Sequence, residues 1–280
     1  MKNILLPTDF SNNSFNAIKY ALGLFKGKDC TFHLLNVFKI PYMPDESFSE
    51  NDARELAMMD SEAYESSQKG LSEIIDKIDK ETNYNFKLYS VYNSLTDSIK
   101  QFIKKEDIDL IVMGTKGATG AKEIFVGSNT GDVLEKTDTV LLVVPEDAEF
   151  KELSEITFPT DFRIPYEEKD LETLINLAKQ NHSSVRILYV KDKVKIDEKQ
   201  EKNKKTIESY FNKIDHTFHT VTNADFEAAI SSFTKSKGNI DMIAIVARHH
   251  NIFYRIFFTP KSERLCFHTK IPLLVLHSEK

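Results

Sequence analysis

Four apolar segments recur in the same order in the two halves of the chain. This repetition restricts the fold more than any other feature. Ile4-Leu5-Leu6-Pro7-Thr8-Asp9-Phe10 is answered by Ile156-Thr157-Phe158-Pro159-Thr160-Asp161-Phe162. Leu34-Leu35-Asn36-Val37 is answered by Ile187-Leu188-Tyr189-Val190. Ile108-Asp109-Leu110-Ile111-Val112 has its counterpart in Ile240-Asp241-Met242-Ile243-Ala244, and Val140–Val144 in Ile271 with Leu273–Leu276. Repetition over such a length signals duplicated domains rather than a solenoid of short units. The expected domains are residues 1–147 and 152–280, meeting near Glu146–Ser154, a polar, charged stretch suited to a linker. A chain of 280 residues has room for two domains that each bury a core.

Within the first half, strands alternate with helical patterns. Strand Asn3–Leu6 precedes a helix over about Ser14–Phe25, where Ala17, Ile18, Ala21, Leu22 and Phe25 form one apolar stripe. Strand Thr31–Phe38 is followed by the polar stretch Lys39–Asn51 and a long helix reaching about Asp79. Strand Phe86–Val91, a helix near Leu95–Lys104, strand Asp109–Met113, a helix near Ser128–Lys136 and strand Val140–Val144 complete the series. Strands separated by helices indicate an α/β fold: two tandem doubly wound domains, each a five-stranded, mostly parallel sheet flanked by helices. Ligands of such sheets bind at the carboxyl ends of strands, where the strand order reverses. Asp9 and Gly114 both fall just past strand ends, so they are expected to face one pocket.

One element of the first half is missing from the second. Strand Leu110–Met113 runs into Gly114-x-x-Gly117, and nine residues further on Gly127-Ser128 opens a helix. Glycines after a strand allow a positive φ and close backbone approach to a ligand. A helix start offers free N–H groups, a hydroxyl and the positive end of the dipole to an anion. Together they suggest a phosphate cradle. In the second half Val246, His249, Thr259 and Pro260 stand at the corresponding places. A β-branched residue disfavours positive φ and proline has no N–H to donate.

With these residues in hand, the chain resembles a tandem universal stress protein, two domains of that family with the nucleotide α-hydrolase-like architecture. The family's signature G-x2-G-x9-G-[S/T] is matched by Gly114, Gly117, Gly127 and Ser128, and its first-strand pattern by Pro7-Thr8-Asp9-Phe10-Ser11. The resemblance implies an intracellular, cytoplasmic stress-response protein that binds ATP with magnesium or manganese. It implies phosphate contacts from Thr115, Lys116, Gly117, Gly127, Ser128, Asn129 and Thr130, beside Met113 and Gly114. Pro7 and Thr8 would count among the nucleotide-binding residues, Asp9 would approach the ribose or an associated metal, and Val37 would border the adenine. It further implies pairing of the domains through their last strands, Val140–Val144 and Leu273–Leu276, antiparallel within one chain or between chains in a homodimer.

Other readings remain open beside it. Ser128 can be an ordinary N-cap, Asp9 can cap the first helix only, and the glycines can simply make a tight loop. Lys116 and Lys122 can be solvated rather than phosphate-bound. In the second half, Phe253, Phe257 and Phe258 are expected to fill the space a ligand would need; Arg248, His249 and Arg255 are an alternative anion site, and Cys266 with His268 a weaker metal candidate. The net charge of −6 gives no basic field for nucleic acid, and no apolar run is long enough to cross a bilayer. Two cysteines at unrelated places form no disulfide framework. No P-loop, nucleophile elbow or general base can be nominated. A slow ATP-hydrolysing switch and a nucleotide-independent adaptor are the alternatives to an ATP-binding protein; the stress signal and any protein partner are not legible. Gly117→Val and Gly127→Val are each expected to abolish ATP binding in a titration while circular dichroism stays unchanged, whereas changes at Thr259 leave ATP affinity alone.

Overall fold

The computed structural model describes residues 2–38, 50–78, 84–115, 128–191, 196–222, 226–247 and 270–278. The first half comprises β1 (Lys2–Pro7), α1 (Asn12–Leu24), β2 (Cys30–Phe38), α2 (Glu50–Lys77) and β3 (Asn85–Tyr92). It continues with α3 (Leu95–Lys105), β4 (Leu110–Gly114), α4 (Ser128–Lys136) and β5 (Leu141–Val144). The second half comprises β6 (Glu155–Thr160), α5 (Glu168–Asn181), β7 (Ser184–Lys191), α6 (Glu198–Phe211) and β8 (His216–Thr222), then α7 (Phe226–Lys237), β9 (Met242–Ala247) and β10 (Leu273–His277).

These strands form a single sheet in the order β3-β2-β1-β4-β5-β10-β9-β6-β7-β8. Each half repeats the same order outward from the middle, and pairing within each half is parallel. At the middle, β5 and β10 run antiparallel, with Leu142 opposite Leu274. The strand order reverses between β1 and β4 in the first half and between β6 and β9 in the second.

Alternation along β1 explains the layering. Ile4 and Leu6 enter one apolar cluster and Leu5 the other. The first cluster joins Ile18 of α1, Leu71 of α2, Leu174 of α5 and Ile207 of α6. The second joins Ile99 of α3, Val133 of α4 and Ile230 of α7. Each layer runs across both halves, because Leu142 and Leu274 lie in the first, and Val143 and Val275 in the second.

The stretch between the halves is packed, not a loose tether. The Asn16 side-chain amide donates to the carbonyls of Pro145, Glu146 and Ala148, at 3.3, 3.2 and 2.8 Å. Ala148 and Leu153 are buried, and the Phe150 ring lies edge-on to Tyr20 over Gly23, where any Cβ would collide with it. Its charged residues are exposed, as suits a linker, and the contacts are made by its backbone and its few apolar side chains. The two amino-terminal strands of the repeat are tied alike: Asp109 accepts from the Asn3 N–H at 2.8 Å, and Asp241 from the Glu155 N–H at 2.9 Å.

At the amino ends of β1 and β2 the halves differ. His33 is buried between Asn3 (Nε2 to Oδ1, 3.1 Å) and the Tyr89 hydroxyl (3.3 Å from Nδ1). Glu106 lies 3.9 Å away and is held at 2.9 Å by Lys87. In register, the second half has an ion pair here, Arg186 to Glu155 at 2.6 and 2.7 Å, next to His219. Burial, reinforced by Lys87 and opposed by Glu106, pushes the His33 pKa down, and burial with Lys237 and Arg186 does the same to His219. Burial and Glu106 push the Tyr89 hydroxyl up to about 12.

Two expectations follow. The unfolded chain takes up protons on these histidines near their ordinary pKa of about 6.5, before the folded chain does. Their contribution to stability is therefore complete above that pH and lost as pH falls through and below it. Thermal melts between pH 7 and 5 should show this decline, and His33→Gln should make it shallower; an unchanged slope counts against His33. At the seam, Leu142→Ala and Leu274→Ala should each lower unfolding free energy by about 2–5 kcal/mol. Because directly opposed side chains share contacts, the double variant measured by urea melts should lose less than the sum.

Candidate functional site

The corner at the carboxyl ends of β1 and β4 starts with a sharp backbone turn. Phe10 has φ of 63°, costly for an aromatic residue, and Phe162 repeats it at 57°. The turn is held by local bonds: the Phe10 N–H donates to Thr8 Oγ1 at 3.1 Å, and the Ser11 N–H and hydroxyl donate to Asp9 Oδ1 at 3.1 and 2.6 Å. Phe162 and Arg163 donate in the same way to Thr160 and Asp161. Asp9 is thus engaged in its own turn, as Asp161 is, although it remains exposed. Ser11 then caps α1, accepting from the Ser14 N–H at 3.2 Å, and Ser14 Oγ lies 3.0 Å from Thr8 Oγ1. Pro7 and Thr8 are buried beneath this corner.

On the other side of the reversal, Met113 is buried in the core under α3 and α4, and Gly114 ends β4 opposite Val144. Gly114 does not take a positive φ; among the described residues only Gly27 and Gly238 are glycines that do. Its lack of a side chain serves a close approach instead: a Cβ there would lie 2.5–2.8 Å from the Asn13 carboxamide of α1. The Val246 reading is corrected in the same sense. Val246 occupies the matching register in β9 as ordinary extended backbone and is fully buried. The Thr130 hydroxyl donates to the Gly114 carbonyl at 3.0 Å, docking the start of α4 against the end of β4. Thr115 is buried, and its hydroxyl has no hydrogen-bond partner among the described residues. Asn129 is exposed at the α4 start, where Ser128 opens the helix. Lys116, Gly117 and Gly127, with Lys122, lie outside the described residues, as do Arg248, His249, Phe253, Arg255, Phe257, Phe258, Thr259, Pro260, Cys266 and His268.

Sequence reasoning missed the polar chain that reaches this corner from β2 and α2. The Asn36 amide donates to the Thr8 carbonyl at 2.7 Å, and Ser67 donates to Asn36 Oδ1 at 2.7 Å. Ser67 and Gln68 also reach Ser90 of β3, at 2.7 and 3.1 Å. Val37, next along β2, is half-buried beside Val91. Asparagine inside an otherwise apolar strand was the available signal, since a buried amide needs partners.

The same corner in the second half is closed. Tyr189 replaces Asn36, and the Phe162 ring, fully buried, packs on it at 4.9 Å. The α6 side chains Gln200 and Asn203 donate to the carbonyls of Asp161 and Phe162, both at 2.8 Å. In the first half the Phe10 ring is instead 40% exposed and rests on Gly70 of α2, where a Cβ would come within 2.6–2.8 Å of it. Among the described residues, side chains therefore fill the second corner, whereas in the first the Phe10 ring is turned outward and Asp9 is exposed above the buried Thr8 and Asn36.

Comparison with known proteins follows this division. The model of the Universal stress protein family matches residues 1–145. A universal stress protein of Methanocaldococcus jannaschii is 29% identical over 146 residues, covering 51% of this chain and 81% of that protein. A second from the same organism is 26% identical over 159 residues, covering 51% of this chain and 94% of its own length. A solved universal stress protein from Archaeoglobus fulgidus matches 99% of this chain and 97% of its own with a TM-score of 0.69 at 18% identity, a likeness of fold. With its sheet order and a family match over more than half its length, the chain belongs to the universal stress protein family.

Proposed function

We propose that the chain is a tandem universal stress protein whose first domain, residues 1–147, binds ATP with magnesium or manganese. The second domain, residues 152–280, is a degenerate copy with an architectural or regulatory role. The observation that carries this reading is the asymmetry of the two corners: the Phe10 ring is turned outward onto Gly70 in the first, whereas Phe162 is fully buried against Tyr189 in the copy.

The donors around the first corner suit a nucleotide. The α4 amino terminus, with Ser128, Asn129 and Thr130, offers backbone N–H groups and the positive end of a helix dipole to phosphate. The buried Thr115 hydroxyl is available as a further donor. Gly117, Gly127 and Lys116 would complete the phosphate contacts. Val37 would supply apolar surface for the base, and the exposed Asp9 would meet the ribose or the metal carried by the nucleotide. The bound group would supply negative charge that the helix terminus and the loop N–H groups neutralise. No residue is assigned a step in hydrolysis.

Charge-assisted hydrogen bonds to phosphate contribute about 1.5–3 kcal/mol each, so several missing donors remove useful affinity from the second domain. Calorimetry with ATP and magnesium is expected to give one site per chain. Two comparable sites would reject the asymmetry. Mass spectrometry of ligand released from purified protein should detect adenine nucleotide. No binding in either assay would favour the nucleotide-independent adaptor, and sustained phosphate release at saturating ATP would favour the hydrolysing switch.

A further inference from the structure

We infer that Asn13 is a positioning residue for the nucleotide site, acting through Gly114. The inference rests on the ATP-binding reading of the first domain. Gly114 is extended and paired with Val144, so its backbone conformation does not require glycine. Space requires it. A Cβ would lie 2.5 Å from Asn13 Nδ2, 2.7 Å from Cγ and 2.8 Å from Oδ1, closer than Cβ atoms come to their neighbours. Asn13 is only 4% exposed, so its carboxamide cannot swing into solvent to make room. Its place on the first turn of α1 is held by the Ser11 cap and by the contact of Ser14 with Thr8.

The opposite side of Gly114 is also held, by the Thr130 hydroxyl on its carbonyl. The last residue of β4 is thus gripped between α1 and α4. It is also the residue from which the chain departs toward Gly117. The carboxamide of Asn13 therefore fixes the end of β4, and couples the β1–α1 corner to the start of α4.

The copy within the same chain shows the two positions changing together. The strand registers place Val246 where Gly114 stands. Counting on from the paired turns Thr8-Asp9-Phe10 and Thr160-Asp161-Phe162 places Pro165 where Asn13 stands. Pro165 is exposed, and α5 begins only at Glu168, so the first helical turn is displaced along the chain relative to that of α1. Where the asparagine is gone, a branched side chain fits. The glycine of the motif is obligatory because Asn13 sits on it.

The test is a mutant cycle read in two ways. Asn13→Ala, Gly114→Ala and the double variant are compared with the full wild-type chain by thermal melting without nucleotide and by calorimetry with magnesium and ATP. Gly114→Ala should melt several degrees lower, and adding Asn13→Ala should restore most of that loss, since the collision is removed. ATP affinity should fall about tenfold in Asn13→Ala and remain low in the double variant, although the latter is well folded. A merely structural role would restore affinity along with melting temperature. Additive melting shifts would overturn the coupling, and unchanged affinity in Asn13→Ala would overturn the positioning role while leaving ATP binding intact. A wild-type chain that binds no ATP would overturn the nucleotide reading and the positioning role with it. If Gly114→Ala does not fold, folding of the double variant supports the coupling and its failure to fold opposes it.

Discussion

The pairing of β5 with β10 is the interaction on which the rest of the molecule depends. Three opposed residue pairs, Leu273 with Val143, Leu274 with Leu142 and Val275 with Leu141, join two parallel sheets into one. Each strand would otherwise present an apolar edge with unpaired backbone groups. Covalent linkage of the halves removes most of the entropic cost of bringing these edges together. Once they meet, the helices α1 and α5 flank one face of a shared core. Lys28, in the turn after α1, donates to Asn181 of α5 at 3.0 Å, and the segment between the halves lies packed under Asn16 and over Gly23.

Against this shared frame, the two corners show how one backbone path serves two ends. Both keep the strained phenylalanine and the threonine and aspartate that hold it. What differs is the set of neighbours. Asn36 and Gly70 let the Phe10 ring lie outward on α2 and keep a polar chain beneath it. Tyr189 and Asn203 draw the turn inward and lock its carbonyls. The strain at φ near 60° is therefore a property of the fold, and the outward turn of the Phe10 ring is a property of the surrounding side chains.

The strands and helices were legible because their signals are local. Apolar runs marked β1, β4 and β5, and the stripe in α1 and the full span of α4 could be read from spacing alone. The repeat implied that both halves share one topology, and the pairing of their last strands is the one that joins the sheet. The candidate site was legible only in outline. Pro7, Thr8, Asp9, Met113, Gly114, Thr115 and Thr130 do gather at the carboxyl ends of β1 and β4. The reason for Gly114 was misread, since its constraint comes from Asn13, about a hundred residues earlier in the chain. Ser67 and Ser90 gave no signal for the same reason, their partners lying on other elements, and Asn36 gave only that of a lone amide in an apolar strand. The filling of the second corner by Phe162 was also missed, because Phe10 and Phe162 are identical in sequence and differ only in what surrounds them.

The antiparallel seam also gives the molecule a direction. Strands of the first half point their carboxyl ends one way, and strands of the second half point theirs the other. The corner beside Gly114 and the corner beside Val246 therefore lie at opposite ends of the sheet, and among the described residues no side chain is common to both. Whatever one corner conveys to the other travels through the sheet and its two apolar layers, as a shift in strand position rather than as a ligand held between two walls.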